Sequence, residues 1–265
     1  MRADVMQAMR IKPDLWPVES DLSEILSFWF DIGLLDMKMI SWDSPASLLE
    51  KLIVYEAVHK ISSWLDLRNR LDSDRRCFAF FHNKMPYDPL IFVEVALTDK
   101  VSSSIHDLLD ETLPITTYDD INTAVFYSIS NTQRGMVGIS LGNFLIKQVV
   151  SELKREFPSI ETFVTLSPIP GFIKWLMNHD KQRYYSDFYE LTSSLPEYDE
   201  SLLSVVLLYL STTQNDKVVD PVAHFHLSNG ASILSVNWEA DKSSKGLKNS
   251  AGIMVNYKYE LSKID

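Results

Sequence analysis

Cys77 is the only cysteine among the 265 residues, so no disulfide can form within the chain and a zinc site built on cysteines is excluded. Such usage fits a reducing compartment. No apolar stretch reaches the roughly 20 residues that a spanning helix needs; the longest lies near residues 202–210. The opening residues, MRADVMQAMRIKPDL, mix charges and contain no apolar signal core, and the closing SKID matches no lipidation or sorting address. The expectation is a cytoplasmic protein with no membrane partner. Basic residues are scarce as well: 25 Lys and Arg stand against 36 Asp and Glu, a net charge of −11. That surface repels a phosphate backbone, and the short basic pieces at 68–70 and 154–155 form no stripe, so no nucleic-acid partner is expected. A small anion is still admitted, because net charge does not fix the field inside a cleft. Neither G-x-G-x-x-G nor the P-loop pattern occurs, which removes support for a dinucleotide or ATP site. Internal repeats and low-complexity segments are absent too.

What is present is an ordinary globular composition, 46% apolar and 23% charged. A chain of this length buries about 70–75% of its unfolded surface without metals or disulfides. Residues 1–20 read as irregular, because Pro13 and Pro17 oppose a long helix. Residues 22–35 read as a helix weakened near its end by Gly33. Asp43 or Ser44 followed by Pro45 is a helix-start signal. Leu48, Leu49, Leu52, Ile53, Ala57, Ile61, Leu65 and Leu71 then recur in steps of three and four and mark one apolar face.

From 77 onward the texture is that of strands. Strands are predicted at 77–82 and 90–98, joined by the turn-rich NKMPYDP, then a short helix at 103–111 and a strand at 123–130. An amphipathic helix follows over 141–157, stopped by Pro158, and a strand over 161–167 completes a β–α–β unit. Helices are predicted at 172–177, 186–192 and 201–210, and strands at 231–238 and 252–261. The fold class is α/β (α+β), with a helical lead-in.

Four places could carry chemistry. The turn 133–142 puts Gly135, Gly138 and Gly142 between a strand and a helix N-terminus, where backbone N–H groups can approach an anion; an ordinary tight turn explains it equally well. Ser167 ends a strand ahead of Pro168 and Pro170, which stiffen the loop, although a serine there is often only a turn residue. His224 and His226 would share a face if their segment were extended, a spacing that can begin a metal site. With no second ligand cluster nearby, no metal is expected, and a single catalytic or hydrogen-bonding histidine is favoured. Tyr257 and Tyr259 fall on one side of a strand, as core aromatics or as site residues.

Taken together, FWFDIGLL, EAVHKISSWLDLRNRL, RRCFAFFH, FYSISNTQRGMVGISLGNFLIKQVVSELKREFP, LSPIPGFIKWL, DPVAHFHLSNGA and VNYKYEL follow one another in an order that resembles the malonyl-CoA decarboxylase family. The resemblance runs from about Ser27 to Tyr259, and LSPIPGF and FHLxNGA are its specific motifs. It implies an N-acetyltransferase-like mixed sheet with flanking helices over 71–265, preceded by a helical lead-in over 1–70 that is the remnant of a helical domain. It also implies a carboxy-lyase that converts malonyl-CoA to acetyl-CoA and carbon dioxide with no metal or organic cofactor.

By motif, the family's catalytic serine falls on Ser167 as proton acceptor, its histidine on His226 as proton donor, and its associated tyrosine on Tyr259. The acyl-CoA-binding loop falls on Val137, Gly138, Ile139, Ser140, Leu141, Gly142 and Asn143, and Ser167 and His226 also contact substrate. His224 occupies a position where the family can have asparagine. The chain departs from the pattern where Ser140 replaces a loop glutamate and where most of the helical domain that carries oligomer contacts is missing, so an oligomer is only admitted. Those departures motivate an alternative reading, a catalytically impaired or non-catalytic acyl-CoA-binding relative. An acyltransferase would need an acceptor cleft and base that the sequence does not identify, and a Ser–His hydrolase lacks its G-x-S-x-G elbow.

Overall fold

The run PLIFVEVALT has no polar face, the pattern of a strand covered on both sides. In the computed structural model it forms β3 (Pro89–Thr98), buried from Pro89 to Leu97 with Glu94 as its one ionisable group. The structure describes residues 1–30, 32–136, 138–139, 142–178 and 198–260, without the side chains of 32 and 142–144. The chain divides into two compact units, Met1–Glu94 with Ser128–Glu152, and Val95–Tyr127 with Leu153–Asp265.

In the first unit the N-terminal residues are helical, which corrects the irregular reading. Here α1 (Arg2–Ala8) precedes α2 (Trp16–Trp29), and Pro17 sits in the first turn of α2, where its missing N–H costs no hydrogen bond. The buried Arg2 joins the two by donating to Glu19, at 2.6 Å from Nη2. The helix predicted over 22–35 ends at Trp29, and a strand missed in the sequence follows, β1 (Leu35–Ile40). It pairs antiparallel with β2 (Arg75–His82), from Leu35 opposite His82 to Ile40 opposite Cys77.

The single apolar face predicted from Leu48 to Leu71 is split into α3 (Ala46–Tyr55) and α4 (Trp64–Asn69). The cause is Glu56, whose carboxylate accepts the N–H groups of Val58 and His59 at 2.7 Å each and turns the chain out of the helix. Ser63 then caps α4 by accepting from Asp66 N at 3.0 Å. The periodic residues still reach one core, where Leu49, Leu52, Ile61 and Leu67 pack with Ile40, Cys77, Phe81 and Phe92. Each such side chain contributes about 1.5–3 kcal/mol by leaving water.

β4 (Thr123–Asn131) begins in the second unit, where it lies parallel to β5 (Thr162–Thr165), from Thr123 opposite Thr162 to Phe126 opposite Thr165. The crossover between them runs through α6 (Gly142–Glu156), so the predicted β–α–β unit is present. Pairing between β4 and β5 closes with the N–H of Leu166 on the carbonyl of Phe126 at 2.9 Å. The strand predicted to run to Ser167 is interrupted there and resumes as β6 (Ser167–Pro168). Both pieces line one edge of β10 (Met254–Tyr259) in a single antiparallel register, Phe163 opposite Tyr259 and Ser167 opposite Val255. The other edge of β10 pairs with β9 (Ala231–Asn237), with an irregularity between Asn256 and Tyr257. The predicted helices at 103–111, 172–177 and 201–210 are α5 (Ile105–Leu109), α7 (Phe172–Asn178) and α8 (Glu200–Ser211), while the one at 186–192 lies outside the described residues.

A small hairpin, β7 (Thr213–Gln214) with β8 (Lys217–Val218), turns on Asn215 and Asp216 at φ 51° and 60°, the tight-turn chemistry those residues tolerate. It was not predicted, nor was α10 (Ser244–Ser250), capped by Ser243. Among the described residues no helix is long and apolar enough to cross a membrane.

Candidate active site

Asp220-Pro221 is a helix-start signal, a capping carboxylate followed by a proline whose missing N–H is harmless. The segment folds accordingly into α9 (Pro221–Ser228), so the extended reading of the two histidines is corrected. On a helix, residues two apart point about 200° from each other. His226 is buried, His224 is half-buried, and the pair shares no face.

The cap itself holds His226 in place. Asp220 Oδ1 accepts from the N–H groups of Val222 at 3.0 Å and Ala223 at 2.9 Å, and Oδ2 accepts from the Tyr209 hydroxyl at 2.8 Å. Asp220 is fully buried, and burial pushes its carboxyl above the usual range. A Cβ at Gly171, in the LSPIPGF motif, would collide with the Tyr209 hydroxyl and force it off Asp220. Replacing Asp220 by alanine is expected to cost about 2–4 kcal/mol, because a helix cap is lost and a buried tyrosine hydroxyl is orphaned. Urea denaturation checks this; a loss below about 0.5 kcal/mol would contradict the capping role.

Three of the predicted residues meet in this unit. Ser167 Oγ lies 3.0 Å from His226 Nε2, and His226 Nδ1 lies 2.8 Å from the Tyr259 hydroxyl. All three are nearly closed to solvent, at 6%, 3% and 3% exposure. The Tyr257 ring stacks on the imidazole with centroids 4.7 Å apart, so of the tyrosine pair one packs on the histidine and the other bonds to it. Burial lowers the His226 pKa to about 3, and the ring is neutral at neutral pH. Burial also raises the Tyr259 phenol, which stays protonated. A neutral imidazole between two hydroxyls can pass a proton along the row without ever becoming a buried cation.

The sequence reading missed Thr165. Its Oγ1 accepts the Ser167 hydroxyl at 2.9 Å and the Tyr257 N–H at 3.2 Å. The available signal was its position two residues before Ser167 in an extended segment, which puts both side chains on one face.

The predicted acyl-CoA loop belongs to the first unit. A short turn, Arg134–Met136, leads to Gly138 at φ 81°, a left-handed conformation that disfavours any side chain. Gly142 opens α6. Val137, Ser140 and Leu141, and the side chain of Asn143, lie outside the description.

The profile of the malonyl-CoA decarboxylase C-terminal domain matches residues 33–201 and 186–265. The chain belongs to the malonyl-CoA decarboxylase family. The mitochondrial malonyl-CoA decarboxylase of Rattus norvegicus is 37% identical over 304 aligned positions, covering 99% of this chain and 62% of the relative. The chain thus spans under two thirds of that malonyl-CoA decarboxylase. The crystal structure of malonyl-CoA decarboxylase from Rhodopseudomonas palustris is 44% identical, with a TM-score of 0.88 over 99% of this chain and 69% of that one. The GphF GNAT-like decarboxylase, solved in complex with isobutyryl-CoA, is only 15% identical, with a TM-score of 0.55 over 85% of this chain and 99% of that one. That likeness shows a GNAT-like fold, the N-acetyltransferase-like mixed sheet expected for a malonyl-CoA decarboxylase.

Proposed function

We propose that the chain decarboxylates malonyl-CoA to acetyl-CoA and carbon dioxide, with Ser167, His226 and Tyr259 as its catalytic residues. The observation that carries this reading is the buried hydrogen-bonded row Ser167–His226–Tyr259 around a neutral imidazole. Residues 71–265 form the proposed catalytic domain, with 1–70 as a helical lead-in, and Val137–Asn143 is the proposed acyl-CoA-binding loop.

The malonyl carboxylate is β to a thioester carbonyl. When the C–C bond breaks, its electron pair moves into the carbonyl and forms a thioester enolate, so the chemistry calls for no electron sink beyond the substrate. The protein must hold the carboxylate out of the carbonyl plane, support negative charge on oxygen, and protonate carbon. Ser167 is assigned to the carboxylate and relays the proton: it accepts the Nε2 proton of His226 as its own hydroxyl hydrogen passes to the α-carbon, so the serine stays neutral. His226 supplies the proton that ends on carbon, a favourable transfer because a thioester α-carbon is a much weaker acid than an imidazole N–H. Tyr259 replenishes the ring from the far side, so the imidazole stays neutral, and water reprotonates the phenol.

The test is to incubate the protein with carboxyl-labelled malonyl-CoA and follow labelled carbon dioxide and acetyl-CoA together. Equal amounts of both are expected, and Ser167→Ala should slow the reaction about 10²–10⁴-fold, as loss of a positioned acid–base group does. Affinity for the CoA thioester should change little. Protein-independent product formation, or an unimpaired Ser167→Ala, would refute the proposal.

A further inference from the structure

Thr165 has no part in the chemistry above, yet it ends the hydrogen-bonded row. It is fully buried on β5, and two hydrogen bonds from β10 fix its position. Its Oγ1 accepts from the backbone N–H of Tyr257 at 3.2 Å, and its carbonyl accepts from Asn256 Nδ2 at 2.7 Å. Asn256 is held in turn, with Oδ1 accepting from Ser235 Oγ and Asn237 Nδ2 at 2.7 Å each. Where β5 and β10 pass at these residues, side chains carry bonds that an unbroken ladder would give to the backbone. A β-branched residue already has few χ1 choices.

Proton counting then decides the direction of the row. A serine hydroxyl has one hydrogen, and that of Ser167 goes to Thr165 Oγ1 at 2.9 Å. Toward His226 Nε2, 3.0 Å away, Ser167 Oγ can therefore only accept. Nε2 must carry the single N–H of the neutral ring, which leaves Nδ1 bare to accept from the Tyr259 hydroxyl at 2.8 Å. We infer that Thr165 is a positioning residue that, by accepting the Ser167 hydroxyl, fixes His226 as the Nε2–H tautomer and so as a proton donor directed at the serine. Without this acceptor the Ser167 hydroxyl is free to turn to Nε2, the arrangement that makes a serine a nucleophile. The ring proton then moves to Nδ1, facing Tyr259, and the donor toward the serine is lost. The catalytic consequence rests on the decarboxylase reading; the tautomer does not.

The experiment reads both. Protein labelled with 15N-histidine should show a protonated Nε2 and a bare Nδ1 for His226 at neutral pH. Thr165→Val should move the proton toward Nδ1, while Thr165→Ser, which keeps the hydroxyl, should restore the original pattern. In the malonyl-CoA assay Thr165→Val should lower kcat about tenfold, the equivalent of one neutral hydrogen bond, with KM within about threefold. Because valine also strands the Tyr257 N–H, Ser167→Ala provides a second arm. It removes the donor instead of the acceptor, and should likewise release the tautomer. A wild-type Nδ1–H ring, or an Nε2–H ring unmoved in both Thr165→Val and Ser167→Ala, overturns the inference. If the wild type shows no turnover but the tautomer responds as described, the inference stands and the decarboxylase reading fails.

Discussion

His226→Gln is expected to lower malonyl-CoA turnover by about 10³–10⁴-fold while leaving thioester affinity within a few-fold. The glutamine amide can stand where Nε2 stands and still donate a hydrogen bond to Ser167. It cannot pass a proton from one end to the other, because it has no second ring nitrogen to take one back. Loss of a positioned acid–base group typically costs 10²–10⁴-fold, and this substitution also disconnects Tyr259. The pH dependence separates this from a general packing defect. With its pKa held near 3 by burial, the imidazole does not ionise near 6.5 in the folded protein, so no His226 step near 6.5 should appear in kcat. Stability should behave differently. The unfolded chain gains a proton on this histidine near 6.5 and the folded one does not until about 3. Folding free energy is therefore lost as pH falls through that window, at about 1.4 kcal/mol per pH unit at most, and His226→Gln should remove that slope. Urea melts of both proteins at pH 7 and pH 5 measure it. A kcat that titrates near 6.5 through this residue, or parallel stability profiles for the two proteins, would defeat the neutral-donor account.

How far such a site can be read from residues alone depends on where each constraint resides. LSPIPGF and FHLSNGA led to Ser167 and His226, and VNYKYEL to Tyr259, because those motifs are contiguous. Thr165 was missed because no motif marks it: its one signal is the two-residue spacing to Ser167, and only the fold shows the two hydroxyls bonded. The strands rich in β-branched and aromatic residues, and the periodic α6, were legible in the same way, since tertiary packing agrees with local preference there. The failures have particular causes. Periodicity continues from Leu48 to Leu71 through a break made by one side chain, Glu56, turning back on Val58 and His59. LDMKMI is a strand because β2 offers it a partner along its whole length. The histidine segment was misjudged for an avoidable reason. Asp220-Pro221 carries the same start signal recognised at Asp43 to Pro45, where α3 begins one residue later than expected, at Ala46.

Arg70→Met is expected to cost about 3–5 kcal/mol of folding stability. Arg70 is 2% exposed, and its partner Glu94 is buried as deeply. Its Nε donates to Asp66 at 2.7 Å, and Nη1 donates to the carbonyl of His59 at 2.9 Å and to Glu94 at 3.1 Å. Methionine fills much of the volume but supplies none of these donors, so a buried carboxyl and a buried carbonyl lose their partner together. The cost should also depend on pH. The Arg70–Glu94 contact has the geometry of an ion pair, yet burial, reinforced by the nearby Glu56, holds the Glu94 carboxyl up at about 8. At pH 6 the pair is mainly a guanidinium hydrogen-bonded to a neutral acid, and above pH 8 it becomes ionic. The folded value lies above the unfolded one near 4.5, so the native state binds the extra proton between them, and wild-type stability falls as pH rises from about 4.5 to 8. Without the arginine the carboxyl is pushed higher still, since a cation that opposes that rise is gone. The penalty of Arg70→Met should therefore be greater at pH 9 than at pH 6. Glu94→Gln should lose the pH slope while keeping most of the stability, because Asp66 still pairs with Arg70. Urea denaturation of the three proteins at pH 6 and pH 9 measures both effects. A penalty for Arg70→Met that is under 1 kcal/mol, or the same at the two pH values, would mean that this buried cluster is held by packing and not by its charges.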